Sequence, residues 1–274
     1  MYKIIERAEL APSITRLVVE APLIAKKRKA GNFIILRATE TGERIPLTIV
    51  DSDPESGTIT LIVQAIGRST HLLHRMAPGD SLMDVAGPLG EATPIELLGR
   101  VVCIGGGVGA AVVFPIAKAL RQAGNHVTSI IGARNRELVI LEQETASISD
   151  ALIVTTDDGS HGTKGFVTDA LSTVIEQDGL PAAVYAIGPL RMMQAVAEQT
   201  RPLGIRTYAS LNPIMMDGTG MCGACRVTVG GHMKFACVDG PEFDAHEIAF
   251  DELIARNNSY RDLEQQAMQT CEHN

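Results

Sequence analysis

Between residue 2 and about residue 97 the apolar positions come in short β-branched runs: "TRLVVEA", "NFIILRA", "RIPLTIVD" and "GTITLIVQAIG". Clusters of Gly, Pro, Asp and Ser separate them, which predicts strands joined by turns and, for so many short strands, a small antiparallel barrel. One helix is expected around "STHLLHRM" before a "PGD" turn. The pattern changes at Gly99. "RVVCIGGGVGAAVVFPIAKALRQAG" reads as a buried strand, a glycine turn and an amphipathic helix closed by Gly124. "HVTSIIGARN", "ALIVTTDDG", "FVTDALSTVIEQ", "AAVYAIGP" and "RMMQAVAEQTRPLG" then alternate strand with helix, which predicts a parallel sheet covered on both faces. From about Ile205, "RTYASLNPIMM" leads into a cysteine loop, a glycine hairpin "TVGGHMKFAC" and a polar helical tail with a frayed end. The expected division is 1–97 barrel, 98–205 α/β domain, 206–250 cysteine-loop domain and 251–274 tail: a multi-domain β plus α/β chain.

Composition narrows the function. The 274 residues carry a net charge of −8, which argues against a nucleic-acid footprint. No apolar run reaches the length that crosses a bilayer, and "MYKIIERAEL" lacks a signal-peptide core. Three of the five cysteines crowd between Cys222 and Cys237, unlike a secreted disulfide framework, so a cytoplasmic protein is expected. There is no Trp, and few other aromatics. A flavin or nicotinamide ring would be held by aliphatic side chains and backbone.

"GGGVGAA" follows a strand and opens a helix. Gly105, Gly106, Gly107, Val108 and Gly109 therefore suit a backbone without Cβ atoms approaching a pyrophosphate at free helix amides, a reading favoured over a tight strand-to-helix turn with no ligand. Gly188 and Pro189 end a later strand of the same sheet, at the edge where open α/β sheets take ligands. Asp157, in the polar loop "TTDDGSHGTKG", suits a ribose or belongs to a solvated loop; Arg134 and Arg136 suit a 2′-phosphate, or are merely exposed. In the first region Arg44 suits a phosphate, and Thr48 a flavin ring. Gly67, Arg68, Ser69 and Thr70 suit a second pyrophosphate at a helix start. Each also reads singly as a surface arginine or a helix cap; together, on a barrel that precedes a nucleotide fold, they favour a flavin.

The cysteine loop has the spacing Asp217-x4-Cys222-x2-Cys225-x11-Cys237. With cysteine in place of Asp217 this is the plant-type [2Fe–2S] pattern. Zinc prefers two close pairs of ligands, and Cys237 has no second partner, His232 being poorly placed. A thioredoxin-like C-x-x-C should open a helix, whereas this one lies in a glycine loop before a β-branched strand. The cluster is favoured over zinc or a disulfide, with Asp217 either a harder fourth ligand or only a turn cap. Cys103 reads as core, and Cys271 has no assigned role.

These motifs, in this order, resemble the small flavin-containing subunit of NADH-dependent ferredoxin:NADP oxidoreductase, a sulfide dehydrogenase-like family related to the electron-transfer subunit of dihydroorotate dehydrogenase B. "SLNPIMMDGTGMCGACRVTVGG…FACVDGPEFD" carries the resemblance most specifically. It implies that Asp217, Cys222, Cys225 and Cys237 bind a [2Fe–2S] cluster. "IPLT" (Pro46, Leu47 and Thr48) with Arg44, "IVQ" (Ile62, Val63 and Gln64) and "GRST" would bind FAD. "GGGVGAA" and "AIGP" would bind the nicotinamide nucleotide, NAD(H) with NADP(H) also open. The implied partner is a larger subunit with its own flavin and [4Fe–4S] clusters, forming a heterodimer. Two departures stand out. The wider superfamily places arginine three residues before the flavin Ser or Thr, not four, with a tyrosine where Leu47 stands; and Ile187 replaces the cysteine often found beside the nicotinamide. Dihydroorotate relatives carry four cysteines at the cluster, so Asp217 leans to the ferredoxin:NADP type. Other readings are the reductase subunit of a hydrogenase, sulfite reductase or dihydroorotate dehydrogenase, a diaphorase acting alone, or a zinc-stabilised nucleotide-binding module.

Overall fold

The computed structural model describes residues 1–271; the last residues of the tail, expected to fray, lie outside the described part, as does the side chain of Cys271. Contacts divide the chain into two units, Met1–Glu91 with Asn212–Pro241 and Ala249–Asn274, and Ala92–Leu211 with Glu242–Ile248.

The first unit begins with β1 (Tyr2–Ala11), β2 (Ile14–Glu20), α1 (Pro22–Lys27), β3 (Phe33–Arg37), β4 (Arg44–Thr48), β5 (Asp51–Asp53), β6 (Thr58–Gln64), α2 (Arg68–Arg75), β7 (Ser81–Leu82) and β8 (Asp84–Leu89). They form two antiparallel sheets, in the orders β5-β6-β2-β1-β7 and β4-β3-β8. Alternate residues of both sheets meet in one core, where Leu17, Val19, Ile59 and Leu61 of the first face Ile34, Leu36 and Val85 of the second. This is the expected antiparallel barrel.

The second unit holds β9 (Arg100–Gly106), α3 (Gly109–Gln122), β10 (His126–Ala133), α4 (Glu142–Ile148), β11 (Ala151–Thr156), β12 (Thr163–Lys164), α5 (Val167–Asp178), β13 (Ala183–Ile187), α6 (Leu190–Thr200) and β14 (Arg206–Ser210). Its sheet runs β12-β11-β10-β9-β13-β14, all parallel. Val102, Ile104, Val184 and Ala186 project onto α5 and α6, where Leu171 and Val196 are fully buried. The chain runs from β9 outward to one side and returns on the other as β13. The switch point therefore lies between β9 and β13, where such sheets bind ligands. Cys103 is fully buried in mid-strand, as expected of a core residue.

The cysteine segment then gives a hairpin, β15 (Arg226–Val229) and β16 (His232–Phe235), turned by Gly230 and Gly231. Next comes β17 (Glu242–Asp244), pairing antiparallel with β14, then α7 (Phe250–Asn257) and α8 (Arg261–Cys271). The stretch 206–250, read from sequence as one domain, is thus shared out: β14 and β17 complete the parallel sheet, while residues 212–241 belong to the barrel unit.

Glu242, on β17, accepts the Thr93 hydroxyl hydrogen at 2.7 Å. Burial pushes its carboxyl from an ordinary 4.5 up to about 7, outweighing the lowering effect of that bond. A carboxyl raised in the folded state binds more protons there than in the unfolded chain. Its stabilising contribution is complete below 4.5 and is lost as pH rises through about 7. Glu242→Gln keeps an acceptor for Thr93 and removes the charge. It is expected to raise stability at about pH 8 and to flatten the pH dependence down to about pH 5. Parallel wild-type and variant denaturation curves across that range would contradict this.

Candidate functional site

Three groups of site residues are built by the fold. In the barrel unit, β4 is an edge strand paired to β3, with Arg37 opposite Arg44 and Phe33 opposite Thr48. Ile45 and Leu47 pack on the core, so alternation puts Arg44, Pro46 and Thr48 together on the other face. Pro46, not Leu47, therefore shares a face with Arg44. The Ser69 hydroxyl donates to Glu43 at 2.9 Å, which joins the start of α2 to the start of β4. Thr70 is a helix cap: its hydroxyl accepts the Gly67 and Ile66 N–H groups and donates to the Gly67 carbonyl. No acidic residue occupies the first turn of α2, and nothing lies within 4 Å of where a Gly67 Cβ would stand. Val63 belongs to the core, Ile62 is buried beside it, and Gln64 is half-buried at the end of β6. Arg44, an open glycine at a helix N-terminus and half-buried Thr48 are groups whose chemistry suits an anionic dinucleotide such as FAD, and the Ser69–Glu43 bond ties the start of α2 to the start of β4.

In the second unit, parallel register lines up the carboxyl ends of four strands: Gly132 pairs with Gly106, Ala133 with Thr156, and Ile187 with Gly105. The Gly105–Gly109 turn and the Gly188–Pro189 turn touch directly. A Cβ on Gly109 would run into the Ile187 carbonyl. Gly107 differs, having φ +56° and open space where a Cβ would be. A tight turn accounts for Gly105 and Gly109; the open left-handed Gly107 leaves room for a ligand at the start of α3, whose first turn carries no acid. Arg134, Arg136 and Asp157 are exposed on the same edge, where the Asp157 N–H donates to Ala133 at 3.1 Å. The Arg136 N–H donates to Ser160, drawing the "TTDDGSHG" loop against the end of β10.

The third group is the cysteine loop. Cys225 and Cys237 are both 1% exposed and their sulfurs stand 3.1 Å apart; Cys222 is exposed. Asp217 accepts the Thr219 N–H on Oδ1 and the Cys222 N–H on Oδ2, both at 2.9 Å. These bonds, Thr219 first, hold its carboxyl below the usual range. Gly218 bends the loop at φ +74°, against Leu89 and Ile35 of the barrel. Burial, and then Cys225, push the Cys237 thiol up to about 12, so it ionises at neutral pH only beside a cation. Among the described residues, no three His, Cys, Asp or Glu side chains stand together as a ready-made metal group. The donor chemistry nevertheless fits an iron–sulfur cluster. Two thiols converge, a third lies on the same loop, and the Ala224 N–H already points at the Cys222 sulfur at 3.5 Å.

Comparison with known proteins agrees with this geometry. Residues 212–249 match the iron–sulfur cluster binding domain of dihydroorotate dehydrogenase B, and residues 103–198 match the oxidoreductase NAD-binding domain. The dihydroorotate dehydrogenase B electron transfer subunit homolog of Thermotoga maritima is 45% identical over 96% of this chain and 93% of its own length. The chain belongs to the family of dihydroorotate dehydrogenase B electron-transfer subunits. The Geobacillus thermodenitrificans electron transfer subunit is 35% identical over 89% of this chain and 96% of its own. A chain in a solved structure of NADH-dependent reduced ferredoxin–NADP oxidoreductase, described for flavin-based electron bifurcation, is 44% identical. It covers 98% of this chain and 97% of its own, with a TM-score of 0.93. Phthalate dioxygenase reductase, at 19% identity and a TM-score of 0.63, shares the fold. This electron-transfer subunit is thus an oxidoreductase subunit with a ferredoxin-reductase-like fold, an NAD-binding domain and an iron–sulfur domain. None of its described helices is long and apolar enough to cross a membrane.

One residue at the site escaped the sequence reading. Arg256, on α7, donates to the carbonyls of Ala224 and Arg226. Its only local signal was a basic residue three positions after a buried leucine.

Proposed function

We propose that this subunit passes electrons between NAD(P)H, FAD and a [2Fe–2S] cluster, to or from a larger flavin- and [4Fe–4S]-containing partner, as in ferredoxin:NADP oxidoreductases. The observation that carries the reading is the pair of buried sulfurs of Cys225 and Cys237, 3.1 Å apart, with Cys222 three residues before Cys225 in the glycine loop. When bound, the nicotinamide and FAD supply hydride transfer and the cluster single-electron transfer; the protein supplies orientation and electrostatics.

Cys222, Cys225 and Cys237 are the assigned thiolate ligands, and Asp217 the fourth donor. Each Asp217 oxygen accepts one amide hydrogen, and a carboxylate oxygen has a second lone pair, so capping the loop and ligating iron are compatible. Asp217→Cys restores the four-thiolate spacing. It should keep the cluster and move its reduction potential, whereas a potential and EPR spectrum unchanged from wild type would reduce Asp217 to a cap.

Arg44 and the amides of Arg68–Thr70, approached across the open Gly67, are assigned to the FAD phosphates, and Thr48 to the ring, with Pro46, Leu47, Ile62, Val63 and Gln64 lining the site through backbone or side chain. Gly105–Gly109, Gly188 and Pro189 are assigned to the nicotinamide nucleotide, with Asp157 on a ribose. NADH is the expected donor; faster reduction by NADPH in stopped flow would make Arg134 the phosphate ligand. Thr48→Ala is expected to weaken flavin retention or slow flavin reduction. Wild-type flavin content together with a wild-type NADH reduction rate would displace the flavin from β4.

Met221 is 89% exposed and Met216 58% exposed beside the cysteine loop, apolar surface that suits a docked partner. Dihydroorotate dehydrogenase is the second reading for that partner, because several relatives carry its name. Co-purification from the native source separates the two. We place the reaction in the cytoplasm, where thiols stay reduced.

A further inference from the structure

We infer that Arg256 is a positioning residue for the iron–sulfur loop, which makes the C-terminal helix α7 part of the cluster site. The inference rests on the cluster reading above and extends it beyond the matched segment 212–249.

The helix is placed by its own sequence. Phe250 and Leu253 are buried at 6% and 3%, and α7 packs against β15. The Ala249 N–H donates to Thr228 on that strand at 3.0 Å. Asp251 and Glu252 in the first turn and Arg256 in the last match the helix dipole. Arg256 follows Leu253 by three residues, so the face that buries the leucine also carries the arginine toward the loop.

One guanidinium nitrogen of Arg256 donates to the Ala224 carbonyl at 3.0 Å, and the other to the Arg226 carbonyl at 3.3 Å. These two carbonyls bracket Cys225. The Cys225 carbonyl itself accepts the Ala236 N–H at 3.0 Å, and the Arg226 side chain holds the Gly223 carbonyl at 3.2 Å. Four successive carbonyls, from Gly223 to Arg226, are therefore pinned. A trans peptide is planar, so fixing the Ala224 carbonyl toward Arg256 turns the Cys225 N–H the opposite way. Ala224 is held at both ends, because its own N–H points at the Cys222 sulfur at 3.5 Å. Through one residue, Arg256 is linked to the orientation of both cysteines of the C-x-x-C pair. It also brings a fixed positive charge to the loop.

Hydrogen bonds to cluster sulfurs and nearby positive charge both favour the reduced, more negative cluster. Removing Arg256 should lower the reduction potential and loosen the loop. Arginine's planar fork spans two acceptors as a single ammonium does not. Lysine should therefore restore the charge and only part of the effect.

The test compares wild type, R256Q and R256K, each purified anaerobically with the native partner. The readouts are iron and flavin content, EPR of the dithionite-reduced protein, a redox titration and the rate of iron loss to a chelator. R256Q is expected to keep its flavin, show a lowered potential and altered EPR spectrum, and lose iron about tenfold faster. R256K should fall between R256Q and wild type. An R256Q potential and spectrum superimposable on wild type would overturn the inference. If R256Q loses flavin as well as iron, R256K decides: an altered spectrum supports the inference, and a wild-type spectrum and potential overturn it. Wild-type protein without iron would instead overturn the cluster reading itself.

Discussion

Cys225→Ala is expected to abolish the iron–sulfur cluster while the flavin stays bound. Cys225 is 1% exposed, its sulfur lies 3.1 Å from that of Cys237, and its backbone is held on both sides by Arg256. The loop has no spare thiol. Cys103 is fixed in the middle of the parallel sheet, where burial pushes its thiol up, and cannot substitute. The residues assigned to the flavin lie on β4, β6 and α2, outside the cysteine loop, so flavin absorbance should survive the change. The expected iron content falls from about two atoms per chain to near zero. Wild-type iron content in the variant would remove Cys225 from the ligand set.

Gly109→Ala is expected to destabilise the nucleotide-binding unit by about 3 kcal/mol and to prevent reduction by NADH. The added methyl would collide with the Ile187 carbonyl and with Gly188, both backbone of the neighbouring turn, so no side chain can move aside. Relief requires α3 to move away from the ends of β9 and β13, which opens the crevice that the nucleotide needs. Gly107→Ala makes the contrast. Its φ of +56° costs a side chain about 1 kcal/mol, but no atom stands in the way. The fold should persist while the methyl projects into the space assigned to the nucleotide, raising KM for NADH. Thermal unfolding and stopped-flow flavin reduction distinguish the two. Equal unfolding curves for the two variants would refute the steric account of Gly109.

Much of this architecture is legible because its signals are local. "VVCIGGGVGAAVV" carries a buried strand, the glycines of the turn and an apolar helix in one continuous segment, and β9, the Gly105–Gly109 turn and α3 follow it. Asp217, Cys222 and Cys225 likewise sit in one loop, and Cys237 follows directly after the β15–β16 hairpin. What the sequence concealed is long-range. Glu242–Asp244 is too short to show a period, yet it adds an antiparallel edge to a parallel sheet far back in the chain. The chain crosses between units near residues 91, 211, 241 and 248, and no composition change marks the last two crossings. Hydroxyl partners are equally silent: Ser69 and Thr70, read as phosphate ligands, spend hydrogen bonds on Glu43 and on the α2 cap. Arg256 lies in a helix that reads as a polar tail, and only the packed α7 shows that it reaches the cysteine loop.

The most direct test is an anaerobic titration of the purified subunit with NADH, followed by visible absorption and EPR, on protein whose metal and flavin content have been measured. About one FAD and about two iron atoms per chain are expected, with bleaching of the flavin band on NADH addition and the EPR signal of a reduced two-iron cluster. A colourless protein that carries zinc at the cysteine loop and is unchanged by NADH would contradict it.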